Sequence, residues 1–340
     1  MMAKVAINGL GRIGRAVLKI AIDTPELEVV AINDLVPTDN LAYLLKYDTV
    51  YGKFPKKVDH TKDSLIVEGK EYQVFDKKDP AQLPWSDLDI DVVFECTGIF
   101  TKKDQLEKHL QAGAKRVILS APAKSEGIST IVHGVNQAPE SEKIISSASC
   151  TTNCITPVVE VMGRRIGVKK ALMTTIHAYT SSQSIVDGPS KKFRRGRTAA
   201  ANLVPTTTGA AKATAQVLTQ YQDKFDGVAV RAPIPVGSIS DITLVTERST
   251  TVEEINNIFK EEAGTDRYQG ILAVSEEPIV SSDIVQDPHA SLVDLTMTQV
   301  VDGDLVKVMS WYDNEWGYAN QMIREACRML KESQTLQTVA

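Results

Sequence analysis

The chain has 340 residues, a formal net charge of -5 and 43% hydrophobic residues, a length that suits about two domains with ordinary hydrophobic cores. The mild acidity and the lack of a basic stripe argue against a dedicated nucleic-acid binder, and no run approaches the roughly 18 apolar residues of a membrane span. The opening MMAKVAINGL has neither an apolar signal core nor an Arg-rich transit segment, so a cytoplasmic location is expected.

The first half alternates strand and helix patterns. Residues 5–8 read as a strand, 12–22 as a helix, 28–32 as a β-branched strand and 40–47 as a short helix. Residues 58–75 read as an antiparallel excursion that turns at Glu68-Gly69. A buried strand at 91–95, a helix at 102–112 and a strand at 116–119 follow. Such alternation predicts βαβ units and a parallel sheet. Gly9, Gly11 and Gly14 take the GxGxxG spacing between the first strand and the first helix. These glycines allow a tight turn, backbone approach to a pyrophosphate and close helix–strand packing, and the helix N-terminus offers free N–H groups. Asp34, twenty residues past Gly14, stands where a carboxylate would accept from the ribose hydroxyls and repel a 2′-phosphate, which favours NAD over NADP.

After Cys150 the pattern changes. A helix is expected over 152–163, and longer strands over 171–177, 225–231, 239–247, 291–298 and 305–311. The fold class is therefore α/β: an N-terminal Rossmann dinucleotide-binding domain, then an α+β catalytic domain with a mixed, largely antiparallel sheet. A loop rich in Ser, Gly, Lys and Arg separates His177 from Asn202, and a loop of that length is usually functional. The last helix is expected over 316–330, with a fraying polar tail.

The four cysteines, Cys96, Cys150, Cys154 and Cys327, fit neither a disulfide framework nor a zinc site, and no metal is expected. Cys96 and Cys327 read as buried small hydrophobes, and Cys154 as structural. Cys150 sits in SASCTTNC, where a helix begins among capping residues. The positive end of the helix dipole would favour its thiolate, the nucleophilic form. Of the five histidines, His60 and His109 read as surface residues. His177 ends a strand just before the long loop and is a candidate base, although the residues alone leave the partner of Cys150 open. Lys191, Lys192, Arg194, Arg195, Arg197, the Thr206–Gly209 turn and Arg231 suggest anion sites near the thiol.

The combination resembles the phosphorylating glyceraldehyde-3-phosphate dehydrogenases over almost the full length. The motifs that carry it are AINGLGRIGR, LLKYDTVYG, LPW, ECTG, HLQAGAKRVILSAP, ASCTTNC, HAYT, DGPS, PTTTGAAKA and WYDNEWGYANQM. The resemblance implies Cys150 as nucleophile and His177 as general base. It implies Thr180 and Arg231 for the substrate's phosphate, and Ser149, Thr151, Thr208, Gly209 and Arg194 for inorganic phosphate. Beyond the glycine turn, Arg12, Ile13 and Asp34 would contact the adenosine half of NAD. Lys78, Thr97 and Ser120 would line the rest of that cleft. Asn314 would orient the nicotinamide carboxamide, and Tyr318 would pack nearby. It further implies domains at 1–149 with 315–334 and at 150–314. A homotetramer is implied as well, with loop 178–201 at a subunit interface and neither membrane nor nucleic acid as partner. The retained Gly188-Pro189 pair agrees with NAD. Ser181 and Ser182 depart from the Asn or Asp of several relatives, and Phe193 from their Trp or Leu. Rival readings are erythrose-4-phosphate dehydrogenase, whose phosphate-binding pattern differs, and a nucleotide- or nucleic-acid-binding module.

Overall fold

The computed structural model describes the backbone of residues 2–337 and the side chains of residues 2–331. The chain forms two compact units. One gathers the described residues of Met1–His133, Gln137–Ala148 and Met322–Ala340; the other consists of Gly134–Asn136 and Ser149–Gln321.

In the N-terminal unit, runs of β-branched and apolar residues form strands buried on both faces, as a parallel sheet requires. The sheet order is Ser129–Thr130, Ile144–Ser146, Arg116–Leu119, Val92–Glu95, Ala3–Asn8, Leu27–Asn33, Lys70–Phe75, Ser64–Val67 and Val58–His60. The first seven pair in parallel. The last two pair antiparallel, through a turn in which Glu68 and Gly69 both have positive φ, as a tight hairpin demands. From Lys70–Phe75 to Ile144–Ser146 the parallel strands run 3-2-1-4-5-6, the order of a dinucleotide-binding fold. The direction reverses between Ala3–Asn8 and Val92–Glu95, so ligands belong beyond the ends of those two strands. Helix Arg12–Ile22 buries Gly14, Ala16, Val17, Leu18 and Ala21. Val5, Ile7, Ile32, Val92 and Phe94 are fully or almost fully buried.

The C-terminal unit contains a seven-stranded sheet in the order Val204–Thr207, Phe225–Ala232, Val168–Ala178, Ser238–Thr246, Leu305–Tyr312, Ser291–Val301 and Leu272–Ser275. Four of the six pairings are antiparallel, so the sheet is mixed and largely antiparallel as expected. Helices Cys150–Arg165, Ala210–Val217 and Val252–Ala263 pack their apolar stripes on it around Val158, Val161, Met162, Ile255 and Phe259. The helix at Cys150 starts two residues earlier than expected, because Ser149 caps it: its Oγ accepts from Thr152 N–H at 3.2 Å.

The last helix runs Trp316–Gln337, longer than expected. The tail expected to fray begins at residue 332; the helix takes in its backbone as far as residue 337, and residues 338–340 lie outside the described ones.

Candidate active site

The glycine turn of the N-terminal unit is built from absences. A Cβ on Gly14 would sit 1.9 Å from the Gly9 carbonyl, and one on Gly9 only 2.8 Å from Thr97 N. A Cβ on Gly11 would meet nothing within 4 Å. Gly9 and Gly14 are therefore small for the fold, whereas Gly11 leaves open space for a ligand. No side chain of Gly11 caps the helix, and a helix N-terminus of this kind suits an anion. Asp34 accepts from Leu10 N–H at 2.6 Å and from Val36 N–H at 2.9 Å, which locks its carboxylate beside the turn. These residues fit a dinucleotide.

Other expected contacts sort themselves. Arg12 is tied to Asp48 at 2.6 Å and lies over Tyr51, so its guanidinium is already engaged, and Ile13 is half-buried in the first turn of the helix. Lys78 is exposed. Ser120 follows strand Arg116–Leu119 and donates its N–H to Glu95 O at 3.0 Å. Thr97 is held from below by Glu95, whose Oε1 accepts from Thr97 N–H at 2.8 Å and from the Thr97 hydroxyl.

Glu95 is fully buried, and the sequence reading did not single it out. Its Oε2 accepts from Asn8 Nδ2 at 2.5 Å and from His109 Nε2 at 3.1 Å, while Asn33 Nδ2 donates to Asn8 Oδ1 at 2.7 Å. Trp85 Nε1 donates to His109 Nδ1 at 3.0 Å, which puts the imidazole hydrogen on Nε2. The reading of His109 as a surface residue is thus overturned: it is fully buried, on the same helix face as Leu106. That i, i+3 spacing was the available signal. His60 is exposed, as expected.

In the C-terminal unit, strand register does the assembling. His177 and Arg231 are direct partners on neighbouring parallel strands, so their side chains share one face. Cys150 opens its helix, and its Sγ lies 3.4 Å from His177 Nε2. Tyr312, at the end of a third strand, completes the group. Its hydroxyl bonds Thr151 Oγ1 and Thr175 Oγ1, each at 2.8 Å, and its ring meets the His177 ring edge-on. Tyr312 was not anticipated. The chain enters this site through Ala148, whose φ of 56° costs a non-glycine residue about 1 kcal/mol.

Burial controls the electrostatics here. It pushes the His177 pKa down to about 3, aided by the nearby charge of Arg231 and opposed by the Ala178 carbonyl, so the imidazole is neutral. Burial also raises the Cys150 thiol, against the pull of Arg231 and of Thr151. The expected depression of that thiol by the helix terminus is therefore reversed, because desolvation outweighs the dipole. Cys96 and Cys154 are raised by burial as well, Cys154 to about 12. Burial keeps both in the thiol form. Cys327 is half-buried and is pushed up to about 11.

Among the expected anion ligands, Thr151 spends its hydroxyl on Tyr312, and Ser149 caps the helix. Thr180 bonds Ser182 at 2.9 Å. Thr208 receives Ala210 N–H, and Gly209 opens helix Ala210–Val217 with open space where a Cβ would stand. Arg194 is exposed, with no hydrogen bond to its guanidinium among the described residues. Arg195, next to it, binds Thr206 Oγ1 at 2.9 Å and Thr207 O at 3.1 Å, and its charge is felt by both His177 and Arg231. Asn314 is buried, its Oδ1 accepting from Ser238 Oγ at 2.9 Å, and Tyr318 is buried nearby in sequence. No group of residues that could hold a metal ion occurs among the described residues.

Comparison with known proteins agrees with both units. Residues 3–103 match the family described as the glyceraldehyde 3-phosphate dehydrogenase NAD binding domain, and residues 149–314 match its C-terminal domain. The chain is 52% identical to the glyceraldehyde-3-phosphate dehydrogenase of Thermotoga maritima, over 97% of this chain and 100% of that one. It is 50% identical to glyceraldehyde-3-phosphate dehydrogenase 2 of Streptomyces avermitilis and 48% identical to the Geobacillus stearothermophilus enzyme, in each case over 95% of this chain and 97% of the other. The chain belongs to the glyceraldehyde-3-phosphate dehydrogenase family.

Proposed function

We propose that the chain oxidises D-glyceraldehyde 3-phosphate to 1,3-bisphosphoglycerate with NAD and inorganic phosphate, using Cys150 as nucleophile and His177 as base. The observation that carries this reading is the 3.4 Å approach of Cys150 Sγ to a neutral His177 Nε2. Sulfur bonds to the aldehyde carbon as His177 takes the proton, giving a thiohemiacetal. The Cys150 main-chain N–H, at the start of its helix, and His177 steady the oxygen. When bound, NAD supplies the hydride acceptor. The thioester left on Cys150 is attacked by inorganic phosphate, which restores the thiol. Thr180 and Arg231 would hold the substrate's phosphate. Ser149, Thr151, Thr208, Gly209 and a loop arginine would hold the inorganic one, and Arg195 has a better claim than Arg194 through its anchorage at Thr206. Asn314 would orient the carboxamide beside Tyr318, with Thr97, Ser120 and Lys78 serving the rest of the dinucleotide. Residues 1–149 with 315–334 would form the cofactor domain and 150–314 the catalytic one.

We further propose a cytoplasmic homotetramer. Ile185, Val186 and Phe193 stand 66%, 72% and 89% exposed on the 178–201 loop, an apolar patch that suits burial against other copies. The four free cysteines fit a reducing compartment. Absorbance of reduced cofactor tests the enzymatic reading. Turnover should require glyceraldehyde 3-phosphate, NAD and inorganic phosphate together. Turnover with none of these dependences would refute it. Light scattering tests the assembly, with a mass near that of one chain as the contrary result.

A further inference from the structure

Three strands of the N-terminal sheet end on buried polar residues. Asn33 closes Leu27–Asn33, Asn8 closes Ala3–Asn8 and Glu95 closes Val92–Glu95. Asn8 is the register partner of both others, so the three side chains share one face at the strand ends. The hydrogen bonds along this row run in one direction only. Lys77 N–H donates to Asn33 Oδ1 at 2.9 Å and Lys77 O accepts from Asn33 Nδ2 at 3.0 Å, which fixes that amide. Asn33 Nδ2 therefore faces Asn8 Oδ1, and Asn8 Nδ2 faces Glu95 Oε2. From the other side Trp85 Nε1 donates to His109 Nδ1, so His109 donates from Nε2 to the same oxygen. At Glu95 Oε1 the donors are the Thr97 N–H and the Thr97 hydroxyl, whose oxygen already accepts from Ile99 N–H at 3.1 Å. Every neighbour gives a hydrogen, and only a carboxylate at 95 takes them all. The row also adjoins the cleft at each step. Asn8 precedes Gly9, Asn33 precedes Asp34 and holds Lys77, and Thr97 N stands 2.8 Å from where a Gly9 Cβ would be.

We propose that Glu95 is a positioning residue for the dinucleotide: through Thr97 and Asn8 it sets the crevice between strands Ala3–Asn8 and Val92–Glu95 before the cofactor arrives. Those two strands flank the point where the sheet order reverses, the place where an open parallel sheet takes its ligand. Thr97 lies in the chain that leaves the sheet there, and Gly98 follows it at a φ of 69°. Glu95 supplies the acceptor for both the N–H and the hydroxyl of Thr97, and so ties that departing chain to the glycine turn. A crevice fixed in advance spares the cofactor the cost of ordering it. Glu95 touches neither the cofactor nor the reacting atoms in this role; it acts through its neighbours. This rests on the reading of the crevice as the NAD site.

Calorimetric titration with NAD tests this, with the urea midpoint recorded on the same samples. The unaltered chain should bind NAD; no binding would sink the cofactor reading itself. Glu95→Gln keeps the shape but turns one acceptor into a donor that none of its neighbours can meet. It should raise the NAD dissociation constant about tenfold, the loss expected for one charge-assisted hydrogen bond. In the double variant Asn8→Asp, Glu95→Gln the carboxylate moves one strand over. It would accept from Asn33 Nδ2, from the new glutamine amide and from His109, whose Nε2 is 3.4 Å from Asn8 Nδ2 in the parent. The glutamine oxygen would then serve Thr97, and NAD affinity should return to within about threefold of the parent. An unchanged dissociation constant in Glu95→Gln, with or without a lower urea midpoint, refutes the positioning role. A folded double variant that binds NAD no better than Glu95→Gln refutes it as well. Amide exchange read by mass spectrometry uses the unaltered chain, so it decides the matter even if the variants do not fold. Before NAD is added, Thr97 N–H should exchange about a hundredfold or more slower than in an unstructured peptide. Protection that arises only on adding NAD would mean that the cofactor shapes the crevice, and would overturn the proposal.

Discussion

In the N-terminal unit the cofactor turn is made of backbone: three glycines, the N-terminus of a helix, and a carboxylate pinned by Leu10 and Val36. In the C-terminal unit the thiol site is made of side chains that arrive from a helix start and three strands. The first arrangement is local, spanning 26 residues from Gly9 to Asp34, so a single deletion of space ruins it. The second is distributed, and each member depends on register with the others. The first therefore tolerates chemistry but not volume. The second tolerates modest changes of volume but not of chemistry.

The strongest way to break the distributed site is to remove its chemistry. In phosphate-free buffer, where the first turnover stops at the thioester, Cys150→Ser should abolish the burst of reduced cofactor, and His177→Asn should slow it by about 10²–10⁴-fold, the range for loss of a general base. Both should leave NAD affinity, measured by fluorescence titration, unchanged. A matched pair of glycine substitutions sharpens the other side. Gly14→Ala sets a Cβ against the Gly9 carbonyl and should cost about 3 kcal/mol or more in urea unfolding. Gly11→Ala meets no protein atom, so its stability should stay within about 0.5 kcal/mol of the parent. Its NAD affinity should nevertheless fall about tenfold, the equivalent of about 1.4 kcal/mol. Equal stability losses in the two would show that Gly11 serves packing instead of ligand approach.

Tyr312→Phe removes one hydroxyl that serves Thr151 and Thr175 and keeps the ring against His177. It should cost about 1–3 kcal/mol in stability, because two buried hydroxyls lose a partner, and it should lower kcat more than it raises KM. The pH dependence of stability gives the smallest signal. His177 is pushed below its ordinary 6.5 to about 3, so the unfolded chain binds the proton first. The stability that comes from keeping it neutral is complete above pH 6.5 and drains away as pH falls toward 3. His177→Asn should flatten that part of the urea-midpoint profile; an unchanged slope would assign the acid sensitivity to other groups.

Much of this contrast could be read from the chain itself, and the division follows the physics. The glycine turn declares itself because steric room is a property of residue type at fixed spacing: GxGxxG after a strand, then Asp34. Strands 116–119 and 91–95 were equally plain as apolar runs between turn signals. Cys150 announced its place by the capping residues around it. Its partner did not, because the pairing of His177 with Arg231 is set by two strands that are 54 residues apart and parallel. Tyr312 was hidden for the same reason. The thiol's raised pKa was hidden by burial, which no local motif encodes. His109 was misread because its partners, Trp85 and Glu95, come from other elements.

The account turns on one sulfur atom made reactive by a distant histidine. Mixing the chain with glyceraldehyde 3-phosphate and NAD in phosphate-free buffer, quenching in acid and mapping peptides by mass spectrometry tests this most directly. The account predicts a phosphoglyceroyl thioester on the peptide at Cys150 that inorganic phosphate discharges and that His177→Asn forms slowly. An adduct on Cys154, or turnover with no adduct on either cysteine, would contradict it.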